Sequence, residues 1–297
     1  MRYVLGAVVV LAIFAIGFCV QRAVRIFYAE YGDFFPARQT LSRPLDGVGP
    51  QLQNITFDTK SGVRIAGWLL PSHNGAVVVY LHGSPGDRSG FLPLVNALDR
   101  HGYGAILIDM PGHGESGGRA DWSVSSQQAA QGAIALALEQ PGTRHVALFG
   151  YSIGSYIAAQ AAAQDKRVDA LILLAAFTNL ADQIRYEFRS RIPLINEFSV
   201  IAARTAGVPV SEMRTLDALN ASSPRPIFFI AGTKDWGIPV SMPQALFAAA
   251  HGPKELWLIE GADHVNTRDI VGPAIFDERV RTFLDNALAG NGLKSLK

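Results

Sequence analysis

HVALFGYSIGSYIAAQAAA, residues His145–Ala163, decides how the rest of this 297-residue chain is read. The short apolar run His145–Phe149 reads as a buried strand, and the Ala-rich run Ile157–Ala163 as a helix. Between them Gly150-Tyr151-Ser152-Ile153-Gly154 fits G-x-S-x-G. In that pattern a serine sits on a sharp strand-to-helix turn. A side chain at either glycine would collide with the neighbouring strand or helix, and the turn itself needs a strained backbone. The turn lifts the Ser152 hydroxyl clear of the sheet. It also sets the Ile153 N–H at a helix N-terminus, where it faces a developing negative charge.

The pattern alone does not choose the serine. Gly114-Glu115-Ser116-Gly117-Gly118 fits it equally well. Ser116, however, follows a Pro/Gly loop and leads into more glycine, without a strand before it or a helix directly after. Context therefore selects Ser152.

Outward from this stretch, strands and helices alternate. Asn54–Thr59 and Arg64–Leu70 read as two strands around the turn Thr59-Lys60-Ser61-Gly62. Ala76–Leu81 (AVVVYL) and Gly104–Ile108 are continuous apolar runs, as expected of strands buried on both faces. Asp87–His101 and Ser125–Glu139 have helical spacing. Ala170–Ala175, Pro226–Ala231 and Glu255–Glu260 are further strands, Met242–Ala250 is a helix, and Ala274–Ala289 closes the chain. Such alternation predicts a mostly parallel sheet with helices on both faces. Right-handed crossovers then bring the loops that follow the strands to one edge, where ligands bind. Phe177–Ser223 breaks the rhythm and reads as a small helical cap beside the site.

Composition narrows the class. The formal net charge is +1, which gives no pull toward nucleic acid. The single cysteine, Cys19, allows neither an internal disulfide nor a cysteine metal cluster. Tyr3–Val20 (YVLGAVVVLAIFAIGFCV) carries no formal charge and as a helix spans about 27 Å, close to a hydrocarbon core. The alternative is a cleaved signal peptide, but Phe18-Cys19-Val20-Gln21 makes a poor cleavage site. The expected organisation is a transmembrane anchor (1–24), a juxtamembrane linker (25–53) and a catalytic-type domain (54–290) with the cap at 177–223. This predicts a single-pass cell-membrane protein with its orientation open, since Arg2 opposes Arg22, Arg25 and Arg38.

A serine hydroxyl needs a base, and the base needs an orienting partner. Of the seven histidines, His264 lies in the loop after the last strand, where it can reach back to Ser152. His82 and His113 are its competitors, each in a tight Gly-rich turn where a histidine more often braces the loop. The acid is expected between serine and histidine in chain order, which points to Asp235 in Gly232-Thr233-Lys234-Asp235-Trp236-Gly237. Asp109 is the alternative. The oxyanion donors are expected to be the N–H groups of Ile153 and Ser84, because Gly83 lets the loop after Ala76–Leu81 come close. Neither metal-ligand spacing nor a phosphate-binding glycine loop occurs, so no metal and no cofactor is expected.

With these residues in place the chain resembles the α/β-hydrolases, from about Asn54 to Ala289. HGSPG, DMPGHGESGG, GYSIG, GTKDWGIP and GADH stand in that family's order. The N-terminal apolar segment, Phe35-Pro36 and GVRIAGWLLP (62–71) are similar to the membrane-anchored α/β-hydrolase-domain proteins. That group includes monoacylglycerol lipases, lysophospholipases and protein depalmitoylases. Many of its members carry Asn where this chain has Ser84. The resemblance implies a membrane-anchored serine hydrolase acting on an ester or thioester, with a small-molecule or lipid acyl substrate. An amidase or peptidase, a perhydrolase, and a non-catalytic ligand-binding protein are the alternatives on the same residues.

Overall fold

A strand made only of apolar residues has to be covered on both faces, and Ala76–Leu81 (β3) is such a strand, buried at every position. Its side chains alternate. Val77, Val79 and Leu81 join one hydrophobic core, and Val78 and Tyr80 join another on the reverse face. The computed structural model describes residues 6, 14, 16–18, 20, 21, 52–120, 122, 124–189, 193–205, 207–221 and 224–289.

Among the described residues eight strands form one sheet. They are β1 (Gln53–Asp58), β2 (Arg64–Leu70), β3, β4 (Gly104–Ile108), β5 (His145–Tyr151), β6 (Ala170–Leu174), β7 (Ile227–Gly232) and β8 (Lys254–Ile259). Their spatial order is β1-β2-β4-β3-β5-β6-β7-β8. β2 is antiparallel to both β1 and β4, and every pair from β4 to β8 is parallel. This is the α/β-hydrolase arrangement, a mostly parallel sheet flanked by helices.

The helices are α1 (Leu92–Asp99), α2 (Val124–Glu139), α3 (Ile153–Gln164), α4 (Leu180–Glu187), α5 (Pro193–Thr205), α6 (Thr215–Ala221), α7 (Ser241–Ala249), α8 (Thr267–Val271) and α9 (Pro273–Leu288). Buried residues of α2, α3 and α7 fill one face of the sheet, and those of α1 and α9 the other. Between β6 and β7, where the sequence predicts a cap, lie α4, α5 and α6.

Two expectations shift for local reasons. The helix expected over 87–101 is a 3-10 turn, Arg88–Phe91, followed by α1. Asp87 caps the turn by accepting from Ser89 N, and Pro93, which lacks an N–H, is tolerated only in the first turn of α1. The helix after Ser152 begins at Ile153 rather than Ile157, because burial of Ile153–Ile157 overrides the weak propensity of Gly154 and Ser155. The anchor expected over 3–20 and the linker at 25–53 fall almost wholly outside the described residues. Gly6, Phe14, 16–18 and Val20 are helical. Among the described residues no helix is long and apolar enough to cross a membrane.

The chain leaves β3 for β4 on one side and returns to β5 on the other, so the strand order reverses at β3. Leu81 and Gly150 are register partners there, which brings the loops after β3 and β5 together. A crevice outside the carboxyl ends of strands forms at such a switch point. How tightly this corner packs is visible at Gly154, where an added Cβ would lie 2.1 Å from the Leu81 carbonyl oxygen. Gly154→Ala should therefore lower the unfolding free energy by about 2 kcal/mol or more. Urea denaturation of the variant checks it, and an unchanged midpoint would contradict the packing.

Candidate active site

Ser152 closes β5 and precedes the first turn of α3, with φ 53° and ψ −119°. A non-glycine residue in that region is strained and persists only where its surroundings fix it. Ser152 N donates to Leu174 O at 2.8 Å, and Ser155 N donates to Ser152 O at 2.9 Å. Ser155 Oγ lies 2.8 Å from the carbonyls of both Gly150 and Leu174. The glycines are required by space. A Cβ on Gly150 would sit 2.4 Å from Gly154 O.

His264, in the loop after β8, reaches the serine. Its Nε2 is 3.1 Å from Ser152 Oγ, and its Nδ1 is 2.8 Å from Asp235 Oδ2. With Nδ1–H donating to the carboxylate, Nε2 presents a lone pair to the hydroxyl. Asp235, in the loop after β7, is held in turn. Its Oδ1 accepts from Gly237 N at 2.9 Å and Ile238 N at 2.8 Å. The structure thus brings together Ser152, Asp235 and His264, residues far apart in sequence, in an arrangement suited to general-base activation of a hydroxyl.

The predicted donor loop lies alongside. A Cβ added to Gly83 would be 3.1 Å from Ser152 Cβ, so the loop after β3 packs directly on the serine. His82 sets its orientation. Met110 N donates to His82 Nε2 at 2.9 Å, which leaves Nδ1–H to donate to Gly83 O at 2.7 Å. The Gly83–Ser84 peptide is trans, so the Ser84 N–H points opposite to that carbonyl, away from His82. Ser84, Ser152 and Ile153 line one cavity of about 230 Å³.

The competing residues do other work. Asp109 is buried and accepts from Arg88 N (2.9 Å), Arg88 Nη1 (2.7 Å) and Glu115 N (2.8 Å). Ser116 is buried too; its Oγ donates to Asp109 O at 2.7 Å and accepts from Ala66 N at 2.9 Å. Asp109, Arg88 and Ser116 therefore brace the loops after β3 and β4. His113 packs against Trp122 and His82, with ring centroids 4.7 and 5.1 Å away. Neither His82 nor His113 is placed to serve Ser152.

Some residues around the site escape the sequence reading. Tyr151 OH donates to His264 O at 2.9 Å, and the Trp236 ring lies 5.4 Å from the imidazole. From the cap side Phe177, Leu180, Gln183 and Glu187 complete the cavity wall. Tyr151 and Trp236 sit inside motifs that single out the serine and the acid, and adjacency was the available signal. Nothing in the spacing of the cap marks its four. Among the described residues no group of three or more His, Cys, Asp or Glu is placed to hold a metal ion.

Comparison with known proteins agrees with this architecture. The family model described as "alpha/beta hydrolase fold" matches residues 76–198. An uncharacterized protein of Mycobacterium tuberculosis is 27% identical over 250 residues, covering 82% of this chain and 83% of its own length. The uncharacterized protein YfhR of Escherichia coli is 25% identical over 291 residues, covering 93% of each. The Pyrococcus furiosus esterase Pf2001 superposes with a TM-score of 0.70 at 20% identity, over 85% of this chain and 97% of that one.

Burial above all lowers the pKa of both His82 and His113, from 6.5 to about 4. Between those values the unfolded chain binds more protons than the folded one, so stability falls as pH drops from about 6.5 to about 4. Each histidine accounts for about 2 kcal/mol of loss between pH 7 and pH 5. His113→Phe should narrow the pH 7-to-5 gap in unfolding free energy by that amount, measured in urea. An equal gap in variant and parent would contradict the assignment.

Proposed function

We propose, from the α/β-hydrolase fold that this chain shares with the family model and the solved esterase, that it is a serine hydrolase cleaving carboxylic esters or thioesters. The observation that carries the reading is the hydrogen-bonded relay of Asp235, His264 and Ser152, at 2.8 and 3.1 Å. A hydroxyl in such a relay loses its proton to the imidazole as it attacks a carbonyl, and the carboxylate stabilises the imidazolium.

In this mechanism Ser152 Oγ adds to the carbonyl carbon while His264 Nε2 takes the hydroxyl proton. The negative charge on the carbonyl oxygen is met by the N–H groups of Ser84 and Ile153, and losing one such donor raises the barrier by about 3 kcal/mol. The tetrahedral species collapses, the bond to the leaving group breaks with its electron pair, and His264 returns the proton to the departing atom. Water then repeats the sequence on the acyl-Ser152 ester and frees the acid. The strained Ser152 backbone supports this reading, because such strain persists where a site needs a fixed geometry.

The proposal extends to location. The uncharged apolar run at 3–20 supports a single-pass membrane anchor that holds the site near acyl substrates. The full chain should resist extraction from membranes by alkaline carbonate; release into the wash would remove this part of the proposal.

Turnover of p-nitrophenyl esters tests the chemistry. Ser152→Ala should lower kcat by about 10⁴-fold or more, and Asp235→Asn by about 10⁴-fold through the wrong histidine tautomer. Both variants should keep the parent circular dichroism spectrum. Parent-like turnover in Ser152→Ala would exclude this mechanism. No turnover by the parent chain would favour the ligand-binding alternative.

A further inference from the structure

Two cavities meet at His264. One, of about 230 Å³, holds Ser152 with Ile153, Phe177, Leu180 and Ile238. The other, of about 530 Å³, lies between the 3-10 turn, α1 and the α8–α9 corner, and its apolar wall includes Phe91, Leu94, Phe149 and Phe276. Phe177, Leu180 and Ile238 belong to the core on one face of the sheet, and Phe91, Leu94, Phe149 and Phe276 to the core on the other. Pro85, Tyr151, His264 and Val265 line both cavities and form the partition between them, whereas Ser152 lines only the smaller.

Serine-hydrolase chemistry gives the two cavities different occupants; the assignment rests on the function proposed above. Throughout the acyl-enzyme stage the acyl group is bonded to Ser152 Oγ, so it occupies the cavity that contains Ser152. As the tetrahedral species collapses, the carbon–oxygen bond to the alcohol breaks, its electron pair stays on the alcohol oxygen, and that oxygen takes the proton from His264 Nε2. The alcohol therefore departs from beside His264, at the partition from which the wider cavity opens away from Ser152.

We infer that the cavity of about 530 Å³ beside His264 is the alcohol subsite, and that the protein prefers esters joining a small acyl group to a bulky alcohol. Sizes support the division. Cavities that enclose small organic molecules run to about 300–1,000 Å³, a range that includes the wider cavity and excludes the narrower. The wall chemistry describes the alcohol further. Phe91, Leu94, Phe149 and Phe276 suit an aromatic or branched aliphatic body. Asp87 and Asp269 place two carboxylates on the lining, while the Arg268 guanidinium is engaged by both Asp277 oxygens, at 2.8 and 2.7 Å. The surplus of negative charge disfavours an alcohol that carries a phosphate or carboxylate and admits a neutral or cationic one.

Gly90 offers the test. It lines the wider cavity, and a Cβ added there meets nothing within 4 Å. Hydrolysis of methyl butyrate, 2-phenylethyl butyrate and the 4-carboxy derivative of the latter would be followed in a pH-stat with the full chain in detergent. In the parent, kcat/KM for the phenylethyl ester should exceed that for the methyl ester tenfold or more. Gly90→Trp should collapse this ratio by at least tenfold. The 4-carboxy ester should lag its parent tenfold at low salt, with the gap closing as salt rises. A parent ratio near one, or an equal fall for both uncharged esters in Gly90→Trp, would overturn the subsite. Turnover of every ester that survives Ser152→Ala, or none in the parent, would instead remove the hydrolase reading beneath it.

Discussion

One strained residue governs this molecule. Ser152 holds a backbone conformation that L side chains rarely adopt, at the point where β5 becomes α3. The turn closes only because Gly150 and Gly154 carry no side chains: a Cβ on either would overlap backbone within 2.4 Å. The strain is offset by burial on both sides. Val146–Gly150 of β5 are buried, as are Ile153–Ala159 of α3, so the turn cannot relax without moving two core elements. The Ser152 hydroxyl is exposed to chemistry because everything around it is fixed.

The second constraint is electrostatic and lies beneath the site. The loop after β3 has to approach Ser152 closely, and it is anchored from below by polar groups with almost no access to water. Asp109 gathers two N–H groups and the Arg88 guanidinium, and Arg88 stacks over Trp68 at 4.4 Å from the ring centroid. Such a buried pair is weak evidence for net stability, yet breaking it by removing one partner is strongly destabilising. Its consequence here is registry. Arg88 is tied through Asp109 to the end of β4, and His82 ties Gly83 to Met110, so the loops after β3 and β4 are hydrogen-bonded to each other.

Much of this was legible in the sequence, and the reason differs by feature. Strands buried on both faces announce themselves as apolar runs, as in Ala76–Leu81 and Gly104–Ile108. Ser152 could be told from Ser116 because only one of two identical motifs joins a strand to a helix, and Ser116 is a buried brace. Chain order points to Asp235, and the loop after the last strand to His264, since loops after adjacent parallel strands share an edge. The spatial order of strands was not readable, because nothing local in β3 or β4 states that the chain reverses direction across the sheet. At five residues, α8 is too short to show a helical period in the sequence. The cap residues on the cavity wall depend on packing between α4 and α5, and a single sequence carries no record of that contact.

The central claim is that Ser152, not Ser116 or another hydroxyl, is the activated nucleophile. Treating the full chain with a fluorophosphonate and mapping the modified peptide by mass spectrometry tests this most directly, because the reagent reacts only with a serine whose hydroxyl is activated. The account predicts one adduct, on Ser152, with labelling suppressed when His264 is replaced by Ala. An unmodified chain, or an adduct on Ser116 or elsewhere that survives the loss of His264, would contradict it.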